Sequence, residues 1–345
     1  MKRCTRCMLP EVFPNIIFDD NGVCSVCHEW DSKHKQIDYE EKERQFTQVL
    51  QGLKKGAGGH DCIVAFSGGK DSCYAVYLLR EYGANPLAVN FNNLFQTDFA
   101  RRSISAIVDR VAVDLVTYAP DRENYLRFTR ESFLRTGNSC IPCNLGIYSL
   151  CQRVATERSI GAVFFGGGSR LEANRISSHP ELDYYDYART VLKGECLVDW
   201  RDFEIDAEAC ATVDPISVGD YFKWEYEEIL KVLKTEFDID FPPSGLQYVH
   251  ADCRLAPVQN FIHCRQRGFS KKEVTLANMV RDGQLGTEEA VQIINDERES
   301  LSQAPVYLDE FLRVLDIGRG IFDKRLEQGS SYRPPWYHGE ENPLR

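Results

Sequence analysis

The apolar positions of this chain fall into three regimes. Residues 1 to about 35 show little periodicity, and a charged, helix-like run from Glu40 to Lys55 ends at the joint Gly56-Ala57-Gly58-Gly59. From Asp61 to about Val218, short apolar runs alternate with helical patterns. Cys62–Phe66, Pro86–Phe91, Val113–Tyr118 and Ala162–Phe165 are too short for helices and read as strands. Helices are predicted from about Asp71 to a C-cap near Gly83, over 98–111, near 121–135 and near 144–158. This alternation predicts an α/β fold, a doubly wound parallel sheet with ligands at the carboxyl ends of its strands. From Tyr221 the pattern is mostly helical, broken by Phe241-Pro242-Pro243-Ser244-Gly245 and by a polar loop holding His250, Asp252 and Cys253. The tail from Ser330 reads as irregular. The expected organisation is a cysteine-rich segment over 1–38, a nucleotide domain over 56–220 and a helical substrate or partner region over 221–345.

Composition narrows the setting. Lys and Arg total 41 against 52 Asp and Glu, a formal charge of −11. Such a balance disfavours nucleic acid as the generic partner, because that binding rests on neutralising phosphates with cations. No run of about 18 uncharged apolar residues occurs, so no membrane span is expected. The charged start Met1-Lys2-Arg3 has no apolar segment behind it, so a cytoplasmic, reducing setting is expected. There, 13 cysteines at short paired spacings point to metal or redox chemistry rather than to disulfides.

Ser67-Gly68-Gly69-Lys70-Asp71-Ser72 lies between an apolar strand and an amphipathic helix. Gly68 and Gly69 permit φ > 0 and let backbone amides approach an anion. The helix start aims its unpaired N–H groups and positive dipole end at the same place. Ser67 and Ser72 offer hydroxyl donors, Lys70 a mobile positive charge, and Asp71 either a Mg²⁺ ligand or a helix cap. The plainer alternative is a strand–helix turn in which Asp71 or Ser72 is only an N-cap. The Gly-x-x-x-x-Gly-Lys-[Ser/Thr] spacing of a Walker loop is absent.

The six residues resemble the SGGxDS motif of the PP-loop (N-type ATP pyrophosphatase) superfamily. The resemblance implies an adenine nucleotide alpha hydrolase-like fold and an enzyme that adenylates a substrate oxygen with ATP, releases pyrophosphate and lets a nitrogen or sulfur nucleophile displace AMP. It further implies adenine contacts at the end of the second strand, matching Asn90 to Asn92, and a glycine motif after the fourth, matching Gly166-Gly167-Gly168. The His of the Gly-His-x-x-x-Asp version found in tRNA-modifying members is missing here.

Cys4-x-x-Cys7 and Cys24-x-x-Cys27 are separated by 16 residues, with a turn at Asn21-Gly22. Two such pairs suit four thiolates around Zn²⁺, in a zinc-ribbon-like segment with little core of its own. Four ordinary buried thiols are the alternative; His28, next to Cys27, is an alternative ligand but reads rather as a surface residue. Cys140-Ile141-Pro142-Cys143 is a third pair without a nearby fourth. Cys151, Cys210, Cys253 and Cys264 are candidates to join it, with Cys253 favoured because its loop concentrates reactive residue types. Three cysteines can hold a 4Fe–4S cluster with one iron open, a second zinc, or a redox dithiol, or they can merely pack. Cys62 and Cys73 read as core.

Cys4-Thr5-Arg6-Cys7, its continuation to Glu11, and Phe18-Asp19-Asp20-Asn21-Gly22-Val23-Cys24-Ser25-Val26-Cys27 closely resemble the start of the N-acetyl sugar amidotransferases. The Asp61–Ser72 segment, Cys140-x-Pro-Cys143 with Gly146, and Val280–Gly283 with Glu288-Glu289-Ala290 are also similar to that family. The resemblance implies conversion of a sugar acetamido group to an acetamidino group, with ammonia from a glutamine-hydrolysing partner. The rival is an iron–sulfur-dependent thiolase of tRNA or a small molecule, to which Cys140, Cys143 and Cys253 would belong. A non-catalytic zinc- and nucleotide-binding adaptor is a third expectation. Lys70, Asp71 and the three later cysteines are the expected catalytic residues, with ATP, Mg²⁺ and Zn²⁺ as cofactors and a homo-oligomer as a further expectation.

Overall fold

The computed structural model describes residues 1–34, 37–168, 170–171, 180–192, 198–241 and 250–329. The predicted break at Pro242–Gly245 and the tail from Ser330 lie outside the described residues.

Five parallel strands, β1 (Cys62–Ala65), β2 (Pro86–Phe91), β3 (Asp114–Tyr118), β4 (Ala162–Phe165) and β5 (Asp214–Ser217), form one sheet in the order β3-β2-β1-β4-β5. Alternate residues of the central strands enter different cores. Ile63, Ala65, Val163 and Phe165 face one side, where the helix Ile141–Arg158 packs, while Cys62, Val64, Ala162 and Phe164 face the helix Lys70–Glu81 on the other. Burial on both faces explains why these strands are continuously apolar rather than alternating. Chain order reverses between β1 and β4, so the loops leaving their carboxyl ends part and open a crevice.

The predicted doubly wound parallel sheet is therefore present, with the cysteine segment before it and a helical region after it. β5 has no apolar run to announce it: Asp214, Pro215 and Ser217 are three of its four residues. A proline is tolerated there because β5 is an edge strand with one unpaired side. The helix predicted near 144–158 begins at Ile141, with Cys140 as its N-cap and Pro142 in its first turn. The Cys-x-x-Cys pair thus sits on a helix start rather than in a loop. Residues 25–34, expected to be aperiodic, form a short helix, Ser25–His34, of low amphipathicity.

Among the described residues the region from Tyr221 supplies six helices, over Tyr226–Phe237, Ala256–Arg267, Lys271–Asp282, Thr287–Ser300, Leu308–Val314 and Arg319–Glu327. Lys271–Asp282 touches the cysteine segment: Ala277 and Val274 pack on Cys4, Cys7, Cys24 and Cys27. Arg3 Nη2 donates to Glu273 Oε2 at 2.9 Å, and Arg298 grips the same carboxylate at 3.0 Å. Among the described residues no helix is long and apolar enough to cross a membrane.

Candidate functional site

The loop after β1 is held from below before it holds anything. Phe66 N donates to Val89 O at 2.8 Å, and Asn90 Nδ2 donates to Phe66 O at 2.7 Å. Asn90, matched to adenine contact by resemblance, is 1% exposed and braces the loop from behind; of the asparagines at the end of β2, Asn93 lines the cavity. The Ser72 hydroxyl accepts from the amides of Ser67 and Gly68, both at 3.2 Å, and Ser67 Oγ accepts from Gly69 N at 3.3 Å. Three successive amides therefore converge on oxygen atoms, the geometry of an anion nest. Gly68 takes φ +84°, as its position in the turn requires, but Gly69 stays at φ −80° and is the helix N-cap. The capping role considered for Asp71 and Ser72 is thus filled by Gly69, with no side-chain cap, leaving the first helical amides without a side-chain acceptor from the cap.

Lys70 is 6% exposed; its Nζ donates to Asp71 Oδ2 at 2.6 Å and lies 4.1 Å from the centre of the Tyr226 ring. Asp71 Oδ1 accepts from Trp224 Nε1 at 2.8 Å. Burial pushes the Asp71 carboxyl up, but Lys70 and the indole N–H outweigh it and hold the group below the usual carboxylate range. Both Asp71 oxygens are committed, so the Mg²⁺ role considered for it competes with an ion pair already made. Gly166 closes the other side: a Cβ there would lie 2.4 Å from the backbone of Asp71, so only glycine lets the β4 loop approach. Gly167 turns at φ +83° and its carbonyl accepts from Gly219 N at 2.8 Å, while Gly168 packs against Gly219. Of these three glycines, Gly166 lines the cavity.

The cavity above the loop measures about 380 Å³, within the usual range for small-molecule sites. Cys140, Cys143 and Cys253 all line it, together with Ser67, Lys70 and Asp252. Asn93 Nδ2 stands 3.3 Å from Cys143 Sγ and 3.8 Å from Cys253 Sγ. Cys253 arrives from the last third because its loop is tied to the loop after β2. Thr97 N donates to Asp252 O at 3.1 Å, Thr97 Oγ1 to Ala251 O at 2.8 Å, and Arg254 N to Phe95 O at 2.9 Å. A helix start ordinarily lowers a thiol pKa. Here burial dominates, pushing Cys143 up to about 12 despite the Asn93 bond, and raising Cys253 as well. Cys151 also reaches the cavity, whereas Cys210 and Cys264 are not among its lining residues. Cys62 and Cys73 are fully buried, as expected of core residues.

Cys4, Cys7, Cys24 and Cys27 come together elsewhere, against Lys271–Asp282, and are the group among the described residues whose ligand atoms lie within 4.8 Å of one another. Their Sγ–Sγ separations of 3.8, 3.6 and 3.6 Å match the edge of a tetrahedron with metal–sulfur bonds of about 2.3 Å. Backbone amides of Cys7 and Cys24 point at Cys4 Sγ at 3.4 and 3.3 Å. Hydrogen bonding to Cys7 and burial push Cys4 up to about 12 in the ion-free state, a proton that a bound cation would displace. The donor set thus fits Zn²⁺. His28 stays outside it, 3.0 Å from Asp19. The cavity trio is not such a compact group, which disfavours a second mononuclear zinc and leaves the wider span of a cluster or a dithiol.

Sequence reasoning missed Asn93, Tyr125 and Trp224, whose roles arise from residues distant in the chain. Tyr125 is buried beside the trio, and its phenol is raised first by burial and then by the neighbouring thiols.

No family model matches this chain. An uncharacterized protein of Methanocaldococcus jannaschii is 29% identical over 35% of this chain and 50% of its own length. A probable tRNA sulfurtransferase of Methanothermobacter thermautotrophicus is 30% identical over 35% of this chain and 31% of its own. The chain thus spans half the length or less of these curated relatives. Among solved structures, a tRNA thiolase from Methanococcus maripaludis with its 4Fe–4S cluster aligns over 88% of both chains at 14% identity and TM-score 0.36. The NMN synthetase of Francisella tularensis aligns over 78% of this chain and 98% of its own at 14% identity and TM-score 0.37. At such scores the structural likenesses add nothing to what this chain's own sheet order and site geometry carry.

Proposed function

We propose that this chain is a PP-loop enzyme that uses ATP to activate a substrate oxygen and then replaces that oxygen with sulfur. The substrate oxygen bonds to the α-phosphorus as the bond to the β-phosphate oxygen breaks and pyrophosphate leaves. A sulfur nucleophile then attacks the activated carbon, the carbon–oxygen bond breaks, and AMP departs with the oxygen. One observation carries the reading: Cys140, Cys143 and Cys253 line the same cavity as the phosphate loop. Partial similarity to a probable tRNA sulfurtransferase supports it.

The loop amides, the start of the helix Lys70–Glu81 and Lys70 would stabilise charge on the phosphates. Asp71 holds Lys70 in place. The three cysteines would hold a 4Fe–4S cluster, which when bound supplies an open iron as a binding position for sulfide. Alternatively one thiol would take the outer sulfur of a persulfide donor, which leaves as its thiol, and a second thiol would close a disulfide as that sulfur passes to the substrate, an external thiol then reducing it. The Cys4, Cys7, Cys24 and Cys27 set would hold a structural Zn²⁺. With a charge of −11, a small-molecule acceptor fits better than tRNA.

A second reading, nitrogen transfer to a sugar acetamido group, is favoured by the match of residues 4–27 to the sugar amidotransferases. Product mass separates the two, since thiolation adds mass and amidination lowers it slightly. A brown anaerobic preparation whose thio product is lost with Cys253→Ser, while pyrophosphate release persists, fits sulfur. Colourless protein that needs ammonia and an acetamido sugar, and tolerates Cys253→Ser, overturns it. Lys70→Ala should slow pyrophosphate release about 100-fold; an unchanged rate would remove the phosphate-loop assignment itself.

A further inference from the structure

The cavity has a charge problem. Its charged lining consists of Lys70 and Lys271 against Asp71 and Asp252, so it has no surplus positive charge for a triphosphate. Asp71 is already paired with Lys70 and accepts a hydrogen bond from Trp224. Asp252 is not so held: its Oδ1 is buried with no hydrogen-bond partner, and His250 Nδ1, on an exposed ring, stands 3.7 Å away. Asp252 Oδ2 lies against the phosphate loop, 3.2 Å from the point a Cβ on Gly69 would occupy. A bare carboxylate beside the loop amides would repel a phosphate rather than help bind it. It becomes useful if a cation stands between the two. Mg²⁺ is held in this way, by one or two carboxylates with substrate phosphates and water completing its octahedron.

We propose that Asp252, and not Asp71, is the protein ligand of the divalent cation that bridges this chain to the nucleotide phosphates. The proposal rests on the reading that ATP occupies this cavity. It gives the loop carrying Cys253 a second duty. The same short segment would place a thiol at the activated carbon and a carboxylate at the phosphate end, so the loop would be seated fully only when nucleotide and cation are both present. Its main chain is already anchored through Thr97 and Phe95, so the Asp252 side chain can be altered without releasing the loop.

The test measures binding, not turnover, with full-length protein and α,β-methylene-ATP, which cannot release pyrophosphate. Mn²⁺ is followed by electron paramagnetic resonance, and nucleotide by calorimetry with and without Mn²⁺. In the unaltered protein, cation and nucleotide should tighten each other's binding by the same factor, about tenfold or more. Asp252→Asn should bring that factor close to one while leaving cation-free nucleotide binding unchanged or tighter, since a repulsive charge is gone. Gly69→Ala, whose φ of −80° accepts alanine, should crowd the carboxylate and reduce the factor partway. Asp71→Asn should weaken nucleotide binding with and without cation and keep the factor. Nucleotide binding with an undiminished factor in Asp252→Asn overturns the assignment but leaves the proposed function standing. Failure of the unaltered protein to bind nucleotide overturns both.

Discussion

The two cysteine constellations of this chain are built on opposite plans. Cys4, Cys7, Cys24 and Cys27 lie within 23 residues of one another, fully buried, with sulfurs 3.6–3.8 Å apart. Cys140, Cys143 and Cys253 are partly buried, span more than a hundred residues of sequence and line a cavity. The first set is closed, with every thiol facing the other three, as a structural metal site requires. The second is open, its thiols facing a space that a substrate can enter. On the proposed reading the first set would hold a metal for the fold and the second would do the sulfur chemistry.

The largest expected effect comes from breaking the closed set. Cys24→Ser should lose bound zinc and with it much of the binding free energy such sites contribute, on the order of 10 kcal/mol in isolated zinc modules. Metal analysis and thermal unfolding check this. Because the segment is docked through Arg3 and Glu273, its loss should also loosen the helix Lys271–Asp282. Retention of zinc with an unchanged unfolding temperature would show the closed set to be four ordinary thiols.

A smaller effect tests the joint between the helices that back the two sets. His263 donates from Nδ1 to Phe269 O at 2.9 Å, in the turn between Ala256–Arg267, which lines the cavity, and Lys271–Asp282, which backs the metal set. Burial, helped by Lys271 and Arg267, lowers its pKa to about 3. The folded-state value lies below the unfolded one, so the unfolded chain binds the extra proton between about pH 3 and 6.5. Stability should therefore rise with pH across that window, by at most about 1.4 kcal/mol per unit, and be lost on acidification. Denaturant unfolding at several pH values should show the slope, and His263→Asn should flatten it.

The smallest effect sharpens the contrast most. Cys253→Ser should change unfolding stability by less than about 1 kcal/mol, since the swap is nearly isosteric and its thiol lines the cavity at the margin of the core. Zinc content should stay unchanged. A large destabilisation would mean that the open set is structural after all.

Much of this was legible in the sequence for physical reasons. Strands buried on both faces must be continuously apolar, which is why β1, β2 and β4 stand out, while the edge strand β5, with Asp214, Pro215 and Ser217, does not. The phosphate loop is local: its amides, hydroxyls and helix start lie within six residues, so their spacing carries the geometry. The closed cysteine set is nearly as local. Cys253 could be singled out only by the company it keeps in its own loop. The direction of the Asn90 side chain was not legible, because a strand-end asparagine can turn toward the cavity or toward the neighbouring loop, and here it donates to the carbonyl of Phe66.

The sequence by itself therefore determined the sheet, the nest of amides and the four-thiol cluster, all of them products of short-range pattern and spacing. Only the tertiary structure decided that Asp71 is taken up by Trp224, that Asn93 stands between two distant thiols, and that Asp252 comes to rest against Gly69 with its Oδ1 free of hydrogen bonds. Those contacts join residues more than fifty positions apart in nearly every case. Their partners are chosen by how helices and loops pack over the carboxyl ends of the strands, and no local pattern encodes that choice.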